Sequence, residues 1–186
     1  MSLGTFTILA LLSVAPVLPL AAQALEPADA PVAVLPTALY NDQANTREAS
    51  DSAKAGVGTS ALRARLDSLL PGQVRPFAET DSAAEAPAAR ELTGGPACGV
   101  KVACALAVAR SQGAKWVVLS KVSKTSNLIW LLSAQLIRVA DGTIILDDST
   151  ELKGEPEAMI RVGMRIFADR VVRTVRAGGV VTNFPT

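Results

Sequence analysis

The sequence predicts an α/β domain with a mixed sheet and the element order β-α-β-α-β-β-β-α, a sandwich of helices on strands. Three observations carry this. Asp141-Gly142 stands between two runs of strand-forming residues and reads as a two-residue hairpin turn. Two segments, Leu62–Leu70 and Pro156–Arg176, repeat apolar residues at helical spacing. The short apolar run Ala30–Pro36 is bracketed by prolines, as suits a buried strand.

Taken in order, residues 1–25 carry no charged side chain, and the first is Glu26. The apolar stretch Ile8–Ala15, then Pro16 and Pro19, then Ala22-Gln23-Ala24, reads as a secretory signal peptide over 1–24. No cysteine lies near the cleavage point, so no lipid anchor is expected. Residues 25–186 then form a single domain, with Ala30–Pro36 as its first strand. Residues 40–58 are polar and read as a long loop, helical in its later part. Thr59 or Ser60 caps a helix in which Leu62, Leu66, Leu69 and Leu70 share one face, and Pro71-Gly72 ends it. A short strand follows at Gln73–Phe77. Residues 78–97 are rich in Ala, Glu, Ser and Pro and read as a flexible, solvated loop. A second helix spans about Val100–Gln112, with Gly113 as its terminating residue. Lys115–Lys124, Asn127–Ala140 and Thr143–Leu152 read as three strands. Across the last hairpin, Val139 is placed opposite Ile144, Ile137 opposite Leu146 and Leu131 opposite Leu152. In the final helix Ile160, Met164, Phe167, Ala168, Val171 and Val175 form one stripe. Gly178-Gly179 ends it, and 178–186 reads as a loose tail.

Composition excludes several chemistries. Among 186 residues there is no histidine, so imidazole bases, Ser–His–Asp or Cys–His nucleophiles and histidine metal sites are absent. Two cysteines cannot build a four-thiolate site in one chain. A net charge of +1 supplies no global attraction to nucleic acid. No cofactor is expected.

The carboxy-terminal half carries a set of short motifs: Gly113-Ala114-Lys115-Trp116-Val117-Val118-Leu119, Val122-Ser123-Lys124, Ser126-Asn127-Leu128-Ile129, Arg138-Val139-Ala140-Asp141-Gly142 and Glu151-Leu152-Lys153-Gly154. With these the chain resembles a family of small exported bacterial proteins of unknown function. More distantly it is similar to the amino-terminal domain of TolB and to CsgG-like and LpoB-like envelope domains. They share a cysteine-alanine-leucine helix start, a glycine-alanine-aromatic approach to a strand, and a strand ending in a glycine turn. The resemblance covers about residues 98–175 and the Val32–Pro36 strand. It implies a TolB-amino-terminal-domain-like sandwich that acts in the envelope through protein contacts, and it carries over no catalytic residue. The chain lacks the TolB propeller and the anchoring cysteine of the CsgG-like and LpoB-like lipoproteins.

Asp147, Asp148, Glu151, Glu155 and Glu157 have the density of a hard-cation site. They fall on a strand and its exit, however, where successive side chains diverge, so they read as a solvated edge. Ser120-Lys121-Val122-Ser123-Lys124 brings a serine–lysine spacing onto a strand, and Lys121 and Lys124 read as surface lysines. Arg161, Arg165, Arg173 and Arg176 occupy about a third of the last helix's circumference. They read as an ordinary polar face, with an anionic polymer, lipid headgroup or acidic partner as the sharper alternative. Trp116 reads as core. Trp130 reads as core or, if exposed, as a partner surface.

Cys98 and Cys104 are expected to form a disulfide, because an exported chain meets an oxidising compartment. Six residues along one helix separate Cα atoms by about 9 Å, beyond the ~7 Å a bridge tolerates. Cys98 must therefore lie before the helix, in a turn made by Gly95-Pro96 and Gly99.

Together these readings predict an exported, non-enzymatic periplasmic protein that works as a protein-interaction or assembly module. An envelope protein is the expected partner, with no nucleic acid and no membrane span after processing. The alternative is a ligand-binding accessory protein of a periplasmic oxidation or transport system. A deep polar pocket would favour that alternative, whereas an exposed apolar patch would favour a protein partner.

Overall fold

The computed structural model describes residues 30–41, 48–93 and 98–181. The predicted signal peptide, residues 94–97 and the end of the predicted tail lie outside the described residues. Five strands form one mixed sheet, and five helices cover its two faces.

Strand β1 (Val32–Val34) is buried and runs parallel to β3 (Trp116–Lys124). Strand β2 (Ala38–Asn41), which the sequence placed partly in a loop, continues along the same edge of β3. Antiparallel β4 (Trp130–Arg138) and β5 (Ile144–Leu152) complete the sheet. The strand expected at Gln73–Phe77 reduces to a bridge between Val32 and Val74. Pro76 has no N–H to extend a ladder, and a helix starts at the next residue.

Beside the turn the predicted hairpin register is off by two, Ile137 lying opposite Ile144, and an irregularity between Leu136 and Ile137 leaves the rest of the ladder off by one. The turn is wider than two residues: Gly142 N–H donates to Arg138 O and Arg138 N–H to Thr143 O, both at 2.9 Å, with φ of +73° at Gly142. Trp130 therefore lies opposite Leu152 and Leu136 opposite Leu146, while Leu131 meets Glu151 instead of Leu152. With side chains alternating, one residue of slip exchanges the faces.

Helix α1 (Ser50–Leu69) starts well before the expected cap, and Thr59 sits inside it. Its buried face continues upstream through Asp51, Ala55, Gly58 and Thr59. Those side chains are too small or too polar to register as an apolar stripe. Thr59 Oγ1 instead accepts the Thr37 amide at 2.8 Å and ties α1 to the sheet. The predicted loop at 78–97 is, over its described part, two helices, α2 (Phe77–Glu85) and α3 (Pro87–Thr93). Alanine is the best helix former, and Ala84 and Ala89 are buried. Small side chains that pack this closely share the composition of a solvated loop. Helix α4 (Val102–Ser111) falls where expected. So does α5 (Pro156–Arg176), capped by the Glu155 carboxylate, which accepts the Glu157 and Ala158 amides at 3.0 and 2.6 Å.

Two cores result. On one face α1 and α5 pack Leu62, Leu66, Ile160, Met164, Phe167 and Val171 against Trp116, Val118 and Leu136. Gly163 lets α5 lie close to the sheet, since an added Cβ would meet Leu132 Cδ2 at 2.6 Å. On the other face α2, α3 and α4 pack Ala89, Cys104, Ala105 and Val108 against Ala33, Val117, Leu119 and Ile137. That second layer covers only the Trp116 half of its face.

Candidate functional site

At the far end of the sheet, β3 turns into β4 through residues 125–129. The sequence assigned Asn127–Ile129 to a long strand; in the structure they form a tip. Thr125 N–H donates to Ile129 O at 3.0 Å. The Ser126 hydroxyl accepts the amides of Leu128 and Ile129 at 3.2 and 3.1 Å. With the backbone held this way, Leu128 is 89% exposed and Ile129 45%.

Beneath the tip lies a charged cluster that the sequence reading missed. Lys124, expected on the surface, is 1% exposed. Its ammonium donates to Asp51 Oδ2 at 3.1 Å and to Glu48 Oε1 at 3.3 Å. Asp51 is fully buried and also accepts the Glu48 amide at 2.9 Å, with Lys54 Nζ at 3.4 Å. Burial opposes the charged form of Asp51, but the Glu48 amide and the two ammoniums outweigh it and hold the carboxyl below its ordinary pKa. Burial likewise opposes the Lys124 ammonium; Asp51 and Glu48 outweigh it and raise its pKa. The Lys124 and Lys54 ammoniums each lie 5.3 Å from the Trp130 ring centre. Trp130 is 4% exposed, so it braces the tip from below and offers no partner surface itself. A sequence signal for Lys124 existed: it continues the inward alternation Trp116, Val118, Ser120, Val122 along β3.

Beside the tip, Tyr40 and Leu131 flank Ser123 across the ladder, on the face that α1 and α5 do not cover. Tyr40 is 54% exposed, with the Lys121 ammonium 5.7 Å from its ring. Leu128, Ile129, Tyr40 and Leu131 thus form an apolar end to an otherwise polar open face. A shallow depression of about 250 Å³ marks where this face meets the start of α4, lined by Val100, Leu119, Lys121, Ser133 and Gln135. Ser120 turns the other way and bonds Thr37 Oγ1 at 2.9 Å within the core.

The predicted basic face divides. Arg161 pairs with Glu157 at 2.9 Å and, with Arg165, borders a groove of about 630 Å³ floored by Ser60, Ala64 and Ser68 of α1. Arg65 and Asp169 bridge that groove at 2.8 Å. Arg173 lies away from it, so the three arginines do not converge. The acidic run also disperses. Asp148 pairs with Arg170 under the sheet, Asp147 and Glu151 point to the opposite face, and Glu155 caps α5. Among the described residues no group of three or more His, Cys, Asp or Glu is placed to hold a metal. Cys98 and Cys104 are joined with Cα atoms 5.2 Å apart, Cys98 standing ahead of α4 in a turn where Gly99 has φ of +52°. No described helix is long and apolar enough to cross a membrane.

The mixed sheet with helices on both faces and a parallel first edge defines the structural class. Within it, the chain belongs to the family described as protein of unknown function (DUF2380), whose model matches residues 30–171. No curated protein matches its sequence. Among solved structures it is similar to the LpoB C-terminal domain from Salmonella enterica, at 19% identity over 68% of this chain and 84% of that one, with a TM-score of 0.47. It is similar to lipoprotein GNA1162 from Neisseria meningitidis, at 15% identity over 78% and 96% of the two chains, with a TM-score of 0.48. It is also similar to TolB from Acinetobacter baumannii, at 16% identity and a TM-score of 0.41, covering 82% of this chain but 29% of that one.

Proposed function

We propose that this is an exported, non-enzymatic envelope protein, acting as a protein-interaction module that engages its partner through the Leu128–Ile129 tip with Tyr40 and Leu131. The observation that carries the reading is Leu128, 89% exposed on a backbone pinned by Ser126. A large apolar side chain on a backbone already fixed costs less further ordering on binding, and such anchor residues contribute most. The joined cysteines and the leader-like segment support export. A small-molecule site beside the tip is not supported, since the depression on the open face is smaller than the ~300–1,000 Å³ of ordinary ligand sites.

The test is site-specific photo-crosslinking in the native envelope. A photoreactive residue at Leu128 should trap a discrete protein adduct, and the same residue at exposed Asp67 on α1 should not. Identical patterns at the two positions, or no adduct at Leu128, would remove the tip as the contact site.

A further inference from the structure

The outer face of α5, opposite its core stripe, carries a second surface that the tip does not involve. At 100° per residue, Met159, Val162, Ile166 and Arg173 fall within about 60° of arc, and Glu155, the cap residue whose carboxylate accepts the Glu157 and Ala158 amides and keeps further lone pairs, stands at the head of that stripe. Val162 is 49% and Ile166 58% exposed, Met159 is half-buried, and Glu155 and Arg173 are exposed. The stripe therefore reads acid, apolar centre, guanidinium, from the start of the helix to its end. Among the described residues no carboxylate pairs with Arg173.

This order is complementary to its own reverse. We propose that α5 packs against α5 of a second copy, antiparallel and about a two-fold axis at Met164. Such an axis places Val162 opposite Ile166 of the second copy. The same axis, with no further choice, places Glu155 opposite Arg173 of the second copy, twice by symmetry. A two-fold contact requires this self-complementarity, and antiparallel helices also set each N-terminus beside the other's C-terminus. A groove of about 420 Å³ runs along the stripe toward β5, lined by Asp148, Thr150, Gly163, Ile166 and Arg170, and gives the second helix's side chains room to settle. The helix has 21 residues, about 31 Å in length. One helix face that long buries less than the ~800 Å² per partner of a standard interface. The dimer is accordingly weak, forming in the micromolar range or above.

Sedimentation equilibrium on the purified chain from about 1 µM to about 1 mM should show a reversible monomer–dimer equilibrium. Val162→Glu and Ile166→Lys should each weaken it at least about tenfold, with thermal unfolding unchanged because both positions are exposed. An equimolar mixture of the two variants should associate again, since glutamate at 162 then meets lysine at 166 while Ile166 meets Val162. Arg173→Glu should also weaken association, and Leu128→Ser should not, which separates this surface from the tip. A wild-type chain that stays monomeric throughout would overturn the proposal. So would association that survives both single variants, or two folded variants that fail to associate on mixing.

Discussion

The two helical layers bury the two faces of one sheet with different materials. The α1/α5 layer uses large side chains, with Leu62, Leu66, Ile160, Met164 and Phe167 packed on Trp116 and Leu136. The α2–α4 layer uses Ala84, Ala89, Ala105, Ala109 and Ala114 around Val108 and the Cys98–Cys104 bridge. Alanine helices approach a sheet closely but remove little apolar area from water per residue. The first layer is thus held by burial, and the second by close approach with a covalent tie at its edge. The difference implies two levels of local stability within one domain.

Four perturbations sharpen that contrast. The largest effect is expected from Phe167→Ala, costing about 3–5 kcal/mol, or Met164→Ala, costing about 2–5 kcal/mol, read as a lowered urea midpoint at unchanged slope. Equal loss from Val108→Ala would erase the distinction between the layers.

Next comes Asp51→Asn, which leaves the Lys124 ammonium buried with less compensation. The melting temperature should fall by something on the order of 10 °C. The pH dependence follows from the two shifts. Asp51 is held below its ordinary 3.8, so its contribution is present above that value and lost as pH falls through the folded pKa. Lys124 is raised above its ordinary 10.5, so its contribution is present below that value and lost as pH climbs through the folded pKa. Melting temperature should therefore be flat between these limits and drop outside them, and Asp51→Asn should flatten the acid limb. An unchanged acid limb in the variant would show that other carboxylates govern it.

A smaller effect attends reduction of Cys98–Cys104. The closed loop is short, so the expected loss is about 2 kcal/mol. Its location is the sharper readout: amide exchange should accelerate in α2, α3 and the start of α4, while α5 stays protected. Uniform acceleration would show that the two layers open together. The smallest effect belongs to Arg161, Arg165 and Arg173 changed together to glutamine, which should barely move the urea midpoint because exposed charges contribute little. If an acidic protein does use the α1/α5 groove, the same triple change should weaken that contact in a salt-dependent way.

Legibility in the sequence followed the same division. Every residue assigned to the α5 stripe, from Ile160 to Val175, is buried, because large apolar side chains at helical spacing have one economical arrangement. The upstream half of α1 was legible only as helix in the later part of a loop, since Asp51, Ala55, Gly58 and Thr59 mark a buried face without hydrophobicity. Helices α2 and α3 were hidden for the same reason, their alanines resembling the composition of a solvated loop. The strands β3, β4 and β5 were legible as strands, but the β4–β5 pairing hinged on the irregularity between Leu136 and Ile137, where one residue decides the face of every side chain beyond it. The tip was masked by its own hydrophobicity: Leu128 and Ile129 extend the strand pattern of Trp130, and the hydrogen bonds of Thr125 and Ser126 turn them into a tip. Lys124 and Asp51 lie 73 positions apart, so no local pattern links them.

The position of the two tryptophans turns the sheet into a two-ended optical reporter. Trp116 pairs with Arg138 at one end of the β3–β4 ladder and Trp130 with Lys124 at the other, about 26 Å away at the rise of a strand. Only Trp130 lies between ammonium groups whose placement depends on Asp51. In a Trp116→Phe chain, the remaining emission reads the charged cluster and the tip above it. In a Trp130→Phe chain, it reads the end where Gly179 closes over the Trp116 ring. Acid titration followed in the two chains separately therefore distinguishes loosening at the tip from unfolding of the whole sheet, with no label added.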